Sequence, residues 1–130
     1  MKRFTAEEAE LLIPEIEKIF EAVASLAAQA QAKAEEAGRL EDKGAGTAET
    51  TLAKSQVRFL TAQIEERLQD IVDLGAVPKG LEPPLVDFPA TVDGRDVFLC
   101  WKLGEKSIDW YHGAEEGFGG RKRLRKRRPS

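Results

Sequence analysis

The sequence predicts an α+β fold: a long antiparallel helical hairpin, kinked at Pro14, packed with a three-stranded antiparallel β-meander in one domain over residues 1–120. Three observations predict it. Apolar residues recur at spacings of three and four over two long stretches, which is the seam of a helix. They alternate singly on either side of Asp93-Gly94, which is the pattern of a hairpin with one apolar face. Gly75, Pro78, Gly80, Pro83 and Pro84 separate the two regimes.

The first helix is expected over residues 5–37. Thr5 caps it, and Glu8 three residues on completes a capping box. Leu12, Ile16, Ile19, Val23, Leu26 and Ala30 form a heptad-like seam. Ile13 and Phe20 widen the stripe, which predicts burial against more than one neighbour. Pro14 lacks an amide donor, so a kink is expected near Glu10. The alanine-rich run Ala27–Ala34 favours helix and allows close approach, and Gly38 is read as the end. After a loop at Gly44–Thr47, a second helix is expected over residues 50–74. Its seam is Val57, Leu60, Ile64, Leu68, Ile71 and Leu74, and Gly75 with Pro78 stops it. Similar lengths and a short link predict antiparallel packing.

Lys79–Pro84 reads as an extended connector. Strands are then expected at residues 85–92, 96–103 and 107–112. Asp93-Gly94 suits a type I′ turn, in which both central residues take positive φ. Counting outward from it pairs Val92 with Arg95, Ala90 with Val97, Phe88 with Leu99 and Val86 with Trp101. The turn at Gly104-Glu105-Lys106 is less constrained. An even-numbered loop puts Ile108, Trp110 and His112 on the Trp101 face; a three-residue loop puts them on the other.

A chain of 130 residues is enough for one domain with a modest core. Seven basic residues lie between Arg121 and Arg128, so the net charge of −3 conceals an acidic body of roughly −10. Such a body does not bind nucleic acid unaided. The single cysteine excludes an internal disulfide and an all-thiolate zinc site. With no signal-like segment and no apolar run near the roughly 18 residues of a membrane helix, no membrane span and a cytoplasmic location are expected.

Several linked motifs point to a family. They are Phe4-Thr5, Leu11-Leu12-Ile13-Pro14, Leu85–Ala90, Gly94-Arg95, Leu99-Cys100-Trp101, Gly104-Glu105, Trp110-Tyr111-His112 and Gly117–Arg121. Up to Arg121 the chain resembles the small prokaryotic proteins grouped as domain of unknown function 2203. The family pattern more often reads Trp-His at Tyr111-His112 and Ala at Gly119. The basic tail is outside the pattern. The resemblance implies the fold and the domain boundary, and it transfers no catalytic residue.

Three groups of residues are candidates for function. The first is a ligand or metal site around His112 with Glu105, Trp110 and Trp101. Its carboxylates would come from Glu105 or from Glu15, Glu17, Glu65 or Asp70 on the helices. One imidazole with carboxylates suits iron, manganese or zinc. No Glu-x-x-His pair is present, which excludes the di-metal bundle site. The bland alternative is a histidine that hydrogen-bonds a carboxylate and closes the sheet. The second group is a patch of Asp87, Cys100 and Tyr111, with Asp87 across the strand from Cys100. His112 is placed on the opposite face from Cys100 unless the second turn is odd. The third is the tail: Arg121, Lys122, Arg123, Arg125, Lys126, Arg127 and Arg128 form a basic cluster of the kind that holds RNA or DNA without sequence preference. The tail is expected to be disordered from Arg121.

No motif calls for a cofactor; a single divalent metal is the one alternative weighed. Coiled-helix content and the lack of a catalytic set favour a non-enzymatic interaction or assembly module. A homodimer that buries the Ile13 and Phe20 stripe, or a protein partner, follows from that reading. The rivals are a metal- or small-ligand-binding protein, which leaves room for an enzyme, and a nucleic-acid-associating protein acting through its tail.

Overall fold

In the computed structural model, which describes residues 2–44 and 46–124, helices α1 (Ala6–Asp42) and α2 (Thr47–Asp73) precede five strands. These are β1 (Val77–Leu81), β2 (Pro84–Val92), β3 (Arg95–Lys102), β4 (Trp110–Gly113) and β5 (Lys122–Arg123), with a 3₁₀ turn at Phe118–Gly120. The sheet is antiparallel throughout, in the order β1-β2-β3-β4-β5.

The chain divides into two compact units. One holds residues 18–70, the other residues 1–17 and 71–130. In the first, α1 and α2 form the antiparallel hairpin. Ala22, Ser25 and Leu26 lie beside Gln63, Glu66 and Arg67, whereas Ala34–Glu41 lies beside Lys54–Arg58. Lys54 pairs with Glu41 across the two helices. Ile19, Phe20, Val23, Ala37 and Ala53 are its buried apolar residues. The α2 seam at Val57, Leu60, Ile64 and Leu68 is only half-buried. Ile13 and Phe20 are 6% and 3% exposed within a single chain, so the stripe expected to await a dimer partner is already covered.

In the second unit the start of α1 and the end of α2 join the sheet. The capping box forms as expected: Glu8 N donates to Thr5 Oγ1 at 3.1 Å, and Thr5 N donates to Glu8 Oε1 at 2.9 Å. α1 runs through Pro14 and on past Gly38 to Asp42. Phe4 N donates to Pro89 O at 2.7 Å, and the Phe4 ring meets Phe88 edge-on at 5.3 Å. Val86, Phe88, Ala90, Val97, Leu99 and Trp101 line the apolar face of β2 and β3, all buried.

The β2–β3 register agrees with the counted one at every position, from Val92↔Arg95 to Val86↔Trp101. Asp93 and Gly94 both take positive φ, 51° and 77°. The sheet has five strands where three were expected. Val77–Leu81, read as a connector, pairs with β2 through a bulge between Pro78 and Gly80. Lys122–Arg123, read as tail, pairs with β4. The remaining basic residues, including Arg125, Lys126, Arg127 and Arg128, lie outside the described residues.

The second turn departs from the even-loop expectation. Cys100 pairs with Trp110, Leu99 with Tyr111 and Phe98 with His112. A one-residue change in register turns every side chain of a strand over. Trp110 and His112 therefore share the Cys100 face, and Tyr111 lies on the Leu99 face. Ile108 precedes β4 and is not bound by this alternation. It is buried, and its amide donates to Glu10 Oε2 at 2.7 Å.

Candidate functional site

The reversed parity of β4 assembles a site that lies wholly within the sheet unit. β2 places Asp87 directly opposite Cys100 of β3, and β4 brings His112 to the same face beside them. All three side chains are buried, Asp87 at 2%, Cys100 at 1% and His112 at 3% exposure. A ligand atom from each, a carboxylate oxygen, Sγ and an imidazole nitrogen, lies within 4.8 Å of the other two.

Hydrogen bonds fix the imidazole. Nδ1 lies 2.8 Å from Gly113 O, which can only accept, so Nδ1 carries a hydrogen. Nε2 lies 3.0 Å from Asp87 Oδ1 and faces the interior of the cluster. A histidine oriented by an Nδ1–H bond to a backbone carbonyl is arranged as metal-bound histidines are, and its other nitrogen, here bonded to Asp87, is turned away from that carbonyl.

The Cys100 thiol does not stand as an activated nucleophile. Burial pushes it up to about 11, and the Asp87 and Glu105 carboxylates add to that; only Arg121 acts the other way. The imidazole nitrogen on its side is already bonded to Asp87. In a Cys-His-Asp triad the acid holds one ring nitrogen and the thiol the other. Here the acid holds Nε2 and the Gly113 carbonyl holds Nδ1, so both ring nitrogens are engaged by groups other than the thiol.

The cluster opens into a cavity of about 250 Å³ lined by Lys79, Leu85, Asp87, Phe98, Cys100, His112, Ala114, Gly117 and Phe118. The glycine-rich segment after β4 forms one wall. Glu116 folds that segment up, accepting from Gly113 N at 2.9 Å and from Lys122 Nζ at 3.4 Å. Arg121 anchors its far end. Its guanidinium stacks between Trp110 at 4.8 Å and Phe118 at 4.7 Å and meets both Glu105 oxygens at 3.0 and 3.1 Å.

The residues proposed from sequence are thus regrouped. His112 leaves the set of Glu105, Trp110 and Trp101 and joins Asp87 and Cys100; Tyr111 leaves that patch. Trp101 is a core residue whose Nε1 donates to Glu105 O at 2.8 Å. Glu105 holds the second turn, accepting from Lys102 N at 2.8 Å and pairing with Arg121. Trp110 stacks on Arg121 and Arg123. The carboxylate beside His112 comes from β2, not from Glu15, Glu17, Glu65, Asp70 or Glu105. Arg121 and Lys122 are engaged by Glu105 and Glu116. One sequence signal pointed here: counting outward from Asp93-Gly94 sets Asp87 across from Cys100, and the structure keeps that pair.

Among the described residues, no helix is long and apolar enough to cross a membrane. A comparison with protein families matches residues 2–124 to the family described as uncharacterized conserved protein (DUF2203). Neither the curated proteins nor the solved structures contain a match to the chain.

Proposed function

The chain belongs to the DUF2203 family, and we propose that it is a metal-binding protein whose site is Asp87, Cys100 and His112. One observation carries the reading: three ligand atoms of different chemistry converge within 4.8 Å at the floor of a cavity, each from a different strand. An oxygen, a sulfur and an imidazole nitrogen together suit a borderline ion, zinc above the harder magnesium or calcium. Three protein ligands leave a tetrahedral ion one open position, which is the pattern of zinc sites that act on a ligand rather than brace a fold. A metal also accounts for a cysteine beside a carboxylate in a buried site, because coordination stabilises the thiolate.

Cobalt(II) reports the reading directly, since a thiolate ligand gives it a near-ultraviolet charge-transfer band. The full chain is expected to take up one cobalt per molecule with that band, and Cys100→Ser to lose the band. Absence of the band in the folded protein, or its persistence in Cys100→Ser, overturns the assignment.

A second reading, assembly of two copies through the hairpin, is supported by Leu52 and Phe59. They stand seven residues apart on α2 and are 61% and 63% exposed. Light scattering would then report a dimer that Phe59→Glu dissociates; a monomer at micromolar concentration sinks this reading.

A further inference from the structure

We infer that the cavity above Asp87, Cys100 and His112 takes a small organic monoanion, a carboxylate with an aromatic or short aliphatic body, bound between the metal and Lys79. The inference rests on the metal reading above and deepens it. Charge is the first argument. A divalent ion held by one carboxylate and one thiolate is neutral as a unit. Among the residues that line the cavity, Lys79 is the only other charged one. Its ammonium lies over the Phe98 ring, 5.9 Å from the centroid, and among the described residues it pairs with no carboxylate. The lined cavity therefore has one positive charge in excess, which a monoanion neutralises and a neutral or dianionic ligand does not.

Shape is the second argument. Apart from Lys79 and the three ligands, the walls are Leu85, Phe98, Ala114, Gly117 and Phe118, which offer apolar surface. A volume of about 250 Å³ equals that of roughly eight water molecules, below the usual range for drug-sized ligands. Inorganic anions would leave the apolar walls unfilled. A carboxylate with a compact hydrocarbon body fills them and places its charge at the ion and the ammonium.

Arg121 is not a competing anchor, because both Glu105 oxygens already meet its guanidinium. The anion is directed to Lys79 by the absence of any other uncommitted cation on the lining.

The test uses the full-length chain loaded with cobalt(II), with benzoate as the anion and benzamide as its neutral counterpart. Benzoate is expected to shift the visible cobalt spectrum in a saturable way, and benzamide to leave it unchanged. Lys79→Met should weaken benzoate about tenfold while cobalt stoichiometry stays the same. A cobalt spectrum that benzoate leaves unmoved overturns the anion inference and leaves the metal site standing, as does equal benzoate affinity in Lys79→Met. A chain that takes up no cobalt removes the metal reading and this inference together.

Discussion

The His112 Nε2 atom lies 3.0 Å from Asp87 Oδ1, and both side chains are almost wholly withdrawn from water. The two residues sit on strands that do not pair with each other, bridged over β3. Removing either partner strands the other in the interior, which costs far more than the pair contributes. In metal-free protein, Asp87→Ala and His112→Ala are each expected to lose roughly 3–5 kcal/mol of stability. The double replacement should cost clearly less than the sum. Urea unfolding of the four proteins gives the answer, and strictly additive losses would contradict the pairing.

The Cys100 thiol is buried and held up to about 11 by that burial. The thiolate is the reactive form. The folded, metal-free protein should therefore resist a thiol reagent at pH 8 and react fully once urea unfolds it. Stopped-flow labelling distinguishes the two; rapid labelling of the folded chain would count against a closed site.

Two surface carboxyls set an acid dependence. The Thr5 amide holds Glu8 below the ordinary 4.5, helped by the Thr5 hydroxyl. The Gly113 amide does the same for Glu116, with Lys122 assisting. A carboxyl depressed in the folded state adds stability that is present above its ordinary value and lost as pH falls through the folded one. Glu8→Gln and Glu116→Gln should each flatten the fall in stability below about pH 4.5. Thermal unfolding between pH 6 and 2.5 measures this, and an acid slope equal to that of the parent protein would refute it.

The two tryptophans differ in burial and in what they touch. Trp101 is fully buried, and Trp101→Ala should cost about 3–5 kcal/mol. Trp110 is half-buried and stacks on Arg121 and Arg123. Trp110→Ala should lose markedly less, with the stacking part at roughly 1 kcal/mol per cation. Chemical denaturation ranks them; a reversed order would show that the core is misplaced.

Much of this was legible in the residues because the local rules were strong. Asp93-Gly94 fixed a two-residue turn, and from it every β2–β3 pair followed by counting. Thr5 and Glu8 marked the start of α1 because a capping box has few alternatives. The site was harder. The Glu105 turn has no comparable residue pair to set its parity, and its geometry depends on Arg121, sixteen residues further on. The single register choice that followed decides whether His112 meets Trp101 or Cys100. The two extra strands were hidden for a related reason. Val77–Leu81 carries proline and glycine, which suit an edge strand and mask its pattern. Lys122–Arg123 sits in a charge run that reads as tail until Arg121 is seen between Trp110 and Phe118.

On the proposed function, Asp87, Cys100 and His112 hold one metal ion. Native mass spectrometry of the full-length chain after equilibration with zinc and desalting addresses it most directly, with the same sample denatured in acid as the reference. A mass excess of one zinc per chain is expected, which disappears on denaturation and is missing from folded Cys100→Ser and His112→Gln proteins. A folded parent chain with no adduct, or the same adduct in both variants, would contradict it.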